Sequence, residues 1–298
     1  MEEPHTPART QAELGDRQTS AHSTVTTPDH PANPSLRRQP LPIDPLTLAA
    51  TAERVCALVE AGQCAHVVTL NPELVMRARR DQGLARVIGG AQLVTADGAG
   101  IVWALRLAGQ RIPERVTGVD LALSLAELAA ARGLPVFLLG AAPGVAEATA
   151  RALTRRLPDL RIVGYWDGTP RPRDDAEAIR RIRATGARIA LVAYGAPRQE
   201  LWIARTLPAL PGIAAVGVGG AFDMLSGRLP RAPHWMRMAG LEWLFRLARQ
   251  PWRWRRMLAL PRFALLAGGA ALAARLTQSP DAGILAIRDP EVVASARD

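Results

Sequence analysis

His66-Val67-Val68-Thr69-Leu70-Asn71-Pro72-Glu73 is an apolar run that stops where a helix can start. Val and Leu suit a short buried strand; Asn71 or Thr69 can satisfy exposed amides, and Pro72 fits a first helical turn, where its missing N–H costs nothing. The unit recurs. Gln92–Ala96 leads into Asp97-Gly98, Pro135–Gly140 into Ala141-Ala142-Pro143-Gly144, Ile189–Tyr194 into Gly195-Ala196-Pro197, and Ile213–Gly219 into Gly220. Arg161–Tyr165 makes a sixth run. Apolar runs that lead into Gly, Asn, Asp or Pro and alternate with helical patterns mark βαβ units, so the expected fold is α/β, a mostly parallel sheet with helices on both faces. In such sheets ligands sit beyond the carboxyl ends of the strands, so the residues that close each run are the candidate site.

Around this pattern the chain divides into four parts. Residues 1–42 are rich in Pro, Thr, Ser and Arg without hydrophobic periodicity, which predicts a disordered tail. Residues 43–232 carry the alternating core. Residues 233–276 read as a helical, membrane-proximal appendage, and 277–298 as a second loose tail. In the appendage Trp235, Trp243, Trp252 and Trp254 are interleaved with arginines, and nine arginines against one acidic residue, Glu242, fall between Arg228 and Arg262. A segment of one sign points to phosphates, and Arg with Trp beside an apolar patch suits a membrane interface. The apolar stretch Phe263–Ala274, headed by Pro261 and Arg262, is shorter than the roughly 20 residues of a spanning helix. A bland alternative is a helical pair that packs its tryptophans on the sheet.

The net charge of +10 over 298 residues comes entirely from arginine, because the chain has no lysine. That absence also removes the lysine a P-loop requires. Cys56 and Cys64 have no Cys or His partner at a metal-site spacing, so they read as reduced cysteines and no metal site is expected. The opening polar stretch with Glu2 and Glu3 lacks the features of a signal peptide.

Each strand end carries a candidate. Thr69 and Asn71 can donate to a sugar or a phosphate, or merely cap a helix. Asp97, before Gly98, is either a helix cap or a general base whose proton affinity is kept useful by apolar walls. Arg115 can clamp a phosphate, ahead of Gly118 and Asp120. The turn after Gly140 can bring amides to an anion. Polar residues right after a buried strand, as in Tyr194-Gly195-Ala196-Pro197-Arg198-Gln199-Glu200, suit a ligand rim better than a core. Gly219 permits close backbone approach, and Asp223 can accept from a ribose or sugar hydroxyl or cap a helix.

Taken in order, these segments resemble the WecG/TagA/CpsF family of glycosyltransferases, also called family 26. The match is carried by Thr69–Glu73, Ala96–Gly98, Arg115–Asp120, Gly195–Glu200, Gly217–Asp223, Arg231-Ala232-Pro233 and Leu241–Leu247, and spans Ile43 to Arg262. The resemblance implies a Rossmann-like core, a UDP-sugar donor with no further cofactor, and inverting transfer of an N-acetylmannosamine-type sugar to a polyprenyl-diphosphate-linked sugar. It implies Asp97 as general base, Thr69 and Gln199 as positioning residues and Arg115 as a pocket residue. Arg246, Arg253 and Arg256 of the appendage would neutralise the diphosphate. It also implies a cytoplasmic protein, peripheral on the inner face of the cell membrane, working in cell-surface polysaccharide or teichoic acid synthesis. Nothing in the residues names the oligomeric state. Two other readings compete: a nucleotide-sugar oxidoreductase or epimerase, which would want an early Gly-x-Gly-x-x-Gly, and a non-catalytic module binding anionic lipid or nucleic acid.

Overall fold

The structure is a computed structural model that describes residues 39–277 and 283–289. Its strands are β1 Leu41–Ile43, β2 Ala65–Leu70, β3 Leu93–Ala96, β4 Val136–Gly140, β5 Ile162–Trp166, β6 Ile189–Ala193, β7 Ala214–Gly217 and β8 Leu285–Ile287. The core helices are α1 Leu48–Glu60, α2 Pro72–Ala78, α3 Gln82–Gly89, α4 Ala99–Leu107, α5 Gly118–Arg132, α6 Val145–Arg156, α7 Asp175–Ala184, α8 Arg198–Thr206 and α9 Ala221–Leu225. α10 His234–Met238, α11 Glu242–Arg249, α12 Trp254–Met257 and α13 Ala259–Thr277 follow.

Six strands form one sheet in the order β3-β2-β7-β6-β4-β5, and every pairing is parallel. Five of the six are buried along their whole length because alternate residues face two apolar layers. Val67, Leu138, Leu191 and Val216 point to one layer, with Val55 of α1, Leu125 of α5 and Leu153 of α6. Val68 and Val94 point to the other, among residues of α2, α3 and α4, and Leu139 and Val192 meet Ile182 and Trp202 on the same side. Both faces of the sheet are therefore covered, as the continuous apolar runs require. Side chains fix the helix starts: Thr47, Asn71, Asp81 and Thr117 each accept from an amide of the first turn, at 3.1, 3.0, 3.0 and 3.2 Å.

Three expectations are corrected. The tail expected over 277–298 contains a strand, since β8 pairs in parallel with β1 in a second, two-stranded sheet. Arg288, just after β8, donates to Asp44 and to the carbonyls of Gly89, Ala91 and Gln92, which is why this short segment holds a fixed place. At the other end Leu41, inside the segment expected as tail, is buried; residues 1–38 of that segment and residues 278–282 and 290–298 lie outside the described residues. Finally, the apolar helix does not begin at Phe263. The helical run Pro251–Ala274 is 24 residues and contains an 18-residue window with a mean hydropathy of 1.6, long and apolar enough by length and composition to cross a membrane. It runs through Pro261 because proline in the first turn of α13 removes no needed donor. One side of this helix packs on the core: Phe263, Ala267 and Ala271 are buried, and Phe263 and Ala267 sit in the same apolar cluster as Leu74 and Ile101.

Candidate active site

The carboxyl ends of β3, β2, β7 and β6 open on one cavity of about 620 Å³, and the appendage closes it from the far side. Of the residues read from the sequence, Thr69, Asn71, Asp97, Gly98, Arg115, Gln199, Gly195, Gly219, Arg246, Arg253 and Arg256 line it. The first residues of α4, α5 and α9 line it as well, so the positive ends of their dipoles face the same space.

Asp97 ends β3, where its own amide donates to the carbonyl of Leu70 at 2.8 Å. Removal from bulk water pushes its carboxyl up to about 7, against the pull of Arg246 and Arg115 and an amide bond from Gly118, while Glu242 pushes it further up. A carboxylate held near neutrality at the wall of a cavity can take a proton from a hydroxyl at working pH.

Facing it are guanidinium groups brought by the appendage. Arg246 stands against the β7 loop, where a Cβ on Gly220 would lie 3.1 Å from its Nη2. Burial and the neighbouring Arg246 and Arg256 lower Arg253 to about 10, which still leaves it charged at neutral pH. The Nε atoms of Arg246 and Arg253 have no hydrogen-bond partner. Three cations crowded with spare donors are unfavourable without an anion, and a diphosphate supplies one with matching fork geometry. The appendage is tied to the core by Arg256 and Glu73 at 3.6 Å and by Arg231 and Asp120 at 2.6 Å. Gly240, at φ 73°, makes room for the closure, because a Cβ there would lie 2.6 Å from that of Ala99.

Two expected positioning residues do structural work in the cavity wall. Thr69 donates to the carbonyl of Gly217 at 2.9 Å. Gln199 accepts from the amides of Gly195 and Gly219, both at 3.0 Å, and donates to Glu200 at 2.8 Å, so one side chain joins the loops after β6 and β7. Asn71 gives its oxygen to the cap of α2 and keeps its amide nitrogen to offer.

The structure does not bring five expected binding residues to the cavity wall. Asp120 is held by Thr117 at 2.7 Å and by Arg231, so it fastens the appendage rather than a ligand. Gly140 is needed for packing: a Cβ there would lie 2.8 Å from the Tyr194 ring. Tyr194 stacks edge-on against Trp202 with ring centroids 5.7 Å apart. The turn after β4 is already served, since Gly144 donates to Asp167 at 2.9 Å. Glu200 lies fully buried beneath Gln199, and burial raises its carboxyl to about 7. Asp223 sits behind Gly220 and reaches Arg253 through its charge alone.

Sequence reasoning gave no place at the cavity to several lining residues: Trp103, Thr117, Glu242, Met257, Leu260, and Trp243, which was read as a membrane-interface or sheet-packing residue. Trp103 follows Ala99 by four residues and so shares a helix face with the start of α4, a spacing visible once Asp97-Gly98 is taken as the cavity edge. Glu242 precedes Arg246 by the same interval, which puts both on the cavity side of α11.

A parallel sheet with a near-neutral carboxylate and clustered guanidinium groups at its strand ends defines an α/β transferase site for a phosphorylated ligand. Residues 39–279 match the model of the "Glycosyl transferase WecG/TagA/CpsF family". The chain is 34% identical over 199 residues to the N-acetylglucosaminyldiphosphoundecaprenol N-acetyl-beta-D-mannosaminyltransferase of Bacillus subtilis, covering 67% of this chain and 77% of that protein. It is 37% identical over 205 residues to the enzyme of the same name from Bacillus spizizenii, covering 69% and 79%. The chain belongs to the WecG/TagA/CpsF family and is a glycosyltransferase.

Proposed function

We propose that the protein transfers an N-acetylmannosamine-type sugar from a UDP-sugar to a polyprenyl-diphosphate-linked sugar, with inversion, in cell-surface polysaccharide or teichoic acid synthesis. The observation that carries this reading is that Asp97 and Arg246, Arg253 and Arg256 line one cavity. The names of the Bacillus relatives support the two substrates. In the reaction the acceptor hydroxyl oxygen attacks the anomeric carbon on the side away from the phosphate, and Asp97 takes the hydroxyl proton. The bond from that carbon to the β-phosphate oxygen breaks, and its electron pair leaves with UDP. The arginines meet the charge that develops there, a task that a bound metal performs in other transferases. Thr69 and Gln199 hold the strand-end loops in place, and Arg115 keeps a second cation beside Asp97.

The membrane reading also belongs here. Trp235, Trp252 and Trp254 are 64%, 71% and 52% exposed, Leu265 is 79% exposed, and arginines lie between them. An apolar surface of this kind, rimmed by cations, suits the inner leaflet of the cell membrane, where the lipid-linked acceptor resides. The deciding experiment is a screen of UDP release over several UDP-sugars with a synthetic prenyl-diphosphate N-acetylglucosamine. Release that depends on both substrates is expected; release with no donor in the screen would remove the proposal. Flotation with anionic and neutral vesicles tests the membrane part, with binding to the anionic ones expected.

A further inference from the structure

The helical run Pro251–Ala274 carries three side-chain stripes, and their order is informative. Phe263, Ala267 and Ala271, spaced by four, are buried and hold the helix on the core. Met257, Leu260, Pro261 and Ala264 line the active-site cavity, at the spacing of a single helix face. Leu258, Leu265, Leu272 and Leu276 point outward and are 44%, 79%, 58% and 76% exposed. Within α13, at 100° per residue, the outward Leu265, Leu272 and Leu276 adjoin the cavity stripe of Leu260, Pro261 and Ala264. Apolar side chains on adjacent positions of this helix therefore lie both in the cavity and on the exterior.

The cavity stripe also continues backward into charge. Arg253 lies one turn before Met257, and Arg256 one turn before Leu260, and both arginines line the cavity. Beyond these two cations the helix offers about 12 Å of hydrocarbon wall up to Ala264. Trp103 of α4 and Trp243 of α11 add aromatic surface to the same cavity. Sugar nucleotides have no use for such a wall, because both halves of a UDP-sugar are polar. The hydrocarbon of a prenyl-diphosphate acceptor matches this wall, while Arg253 and Arg256 stay with the donor's diphosphate.

We infer that the face formed by Met257, Leu260 and Ala264, with Trp103 and Trp243, is the subsite for the first isoprene units of the acceptor lipid. This rests on the proposed polyprenyl-diphosphate acceptor. The rest of the lipid leaves along the outward leucine stripe into the bilayer, so the tail never has to cross water. The subsite gives the enzyme a preference for a prenyl diphosphate over a diphosphate with a small cap, independently of any membrane.

The test uses the full chain in solution, without vesicles, and two soluble acceptors. Both are N-acetylglucosamine diphosphates, one esterified to a short prenyl chain and one to a methyl group. The wild type is expected to favour the prenyl acceptor in kcat/KM by about tenfold or more, the worth of a few buried methylenes. Leu260→Ser and Met257→Ser should each collapse that ratio towards unity, with UDP-sugar binding by calorimetry reporting that the donor side is intact. Two variants are used so that a folding defect in one, seen by thermal melting, leaves the other to decide. A wild type that treats both acceptors alike, or variants that keep the full preference, would overturn the subsite while the transferase reading stands. Turnover of neither acceptor with any UDP-sugar would remove the proposed function, and the subsite with it.

Discussion

Replacement of Asp97 by Asn should make the protein more stable and much less active, and the two effects share one cause. The carboxyl moves from an ordinary value of 3.8 to about 7 on folding, which corresponds to roughly 4 kcal/mol against the charged form. The sign follows from linkage: the folded chain holds this proton more tightly than the unfolded chain. The stability it contributes is full below about pH 4 and is lost as pH rises through about 7. Asparagine has no such loss. Between about pH 5 and pH 8.5 the stability of Asp97→Asn relative to wild type should therefore increase by at most about 3 kcal/mol. For a chain of this size that is about 2–4 °C in Tm per kcal/mol. Glu200, whose carboxyl is also raised to about 7, titrates in both proteins and cancels from the difference. In UDP-release assays the variant should lose roughly two to four orders of magnitude in turnover. Wild-type kcat/KM should rise with pH through about 7, and the variant should lack that limb. Parallel melting at both pH values together with near wild-type turnover would refute a desolvated base at this position.

Three other substitutions probe the rest of the site. Arg253→Gln should lower turnover by about 10²–10³ while leaving the ligand-free protein at least as stable, because it relieves crowding with Arg246 and Arg256; melting curves and UDP release read both effects. Gly217→Ala places a Cβ 2.6 Å from Gln199 Nε2, so it should cost about 1–3 kcal/mol in urea unfolding and reduce turnover by displacing the loops that Gln199 joins. Phe263→Ala should cost about 3–5 kcal/mol, since this ring is 1% exposed against α2 and α4; an unfolding midpoint equal to wild type would show that α13 is not part of the core.

All six strands of the main sheet were legible in the sequence: five are covered on both faces and need apolar residues at every position, and edge strand β5 keeps an apolar run although it is only half-buried. Asp97 was legible for the same reason, as a carboxylate that directly follows such a run. The order β3-β2-β7-β6-β4-β5 was not, because connection lengths alone do not state which neighbour a strand joins. The strand-end reading placed Asp120, Gly140, Tyr194, Glu200 and Asp223 at the ligand along with the true lining residues. Arg231, which holds Asp120, and Trp202, which packs on Tyr194, come from other elements, so nothing local separates these internal contacts from ligand contacts. The arginines of the appendage were legible as an anion-seeking segment. That Trp235, Trp252 and Trp254 face outward while Trp243 lines the cavity and Phe263 turns inward depends on how the helices of the appendage pack, which the sequence does not state.

The pairing of β8 with β1 carries a consequence for biogenesis. Synthesis proceeds from the amino end, so Leu41–Ile43 leaves the ribosome long before Leu285–Ile287 exists to pair with it. Arg288 reaches Asp44 across 244 positions of sequence, so this lock closes only once both segments have been made. Among the described residues, the last strand thus secures the first, and a nascent chain that has not yet reached Leu285–Ile287 lacks that fastening.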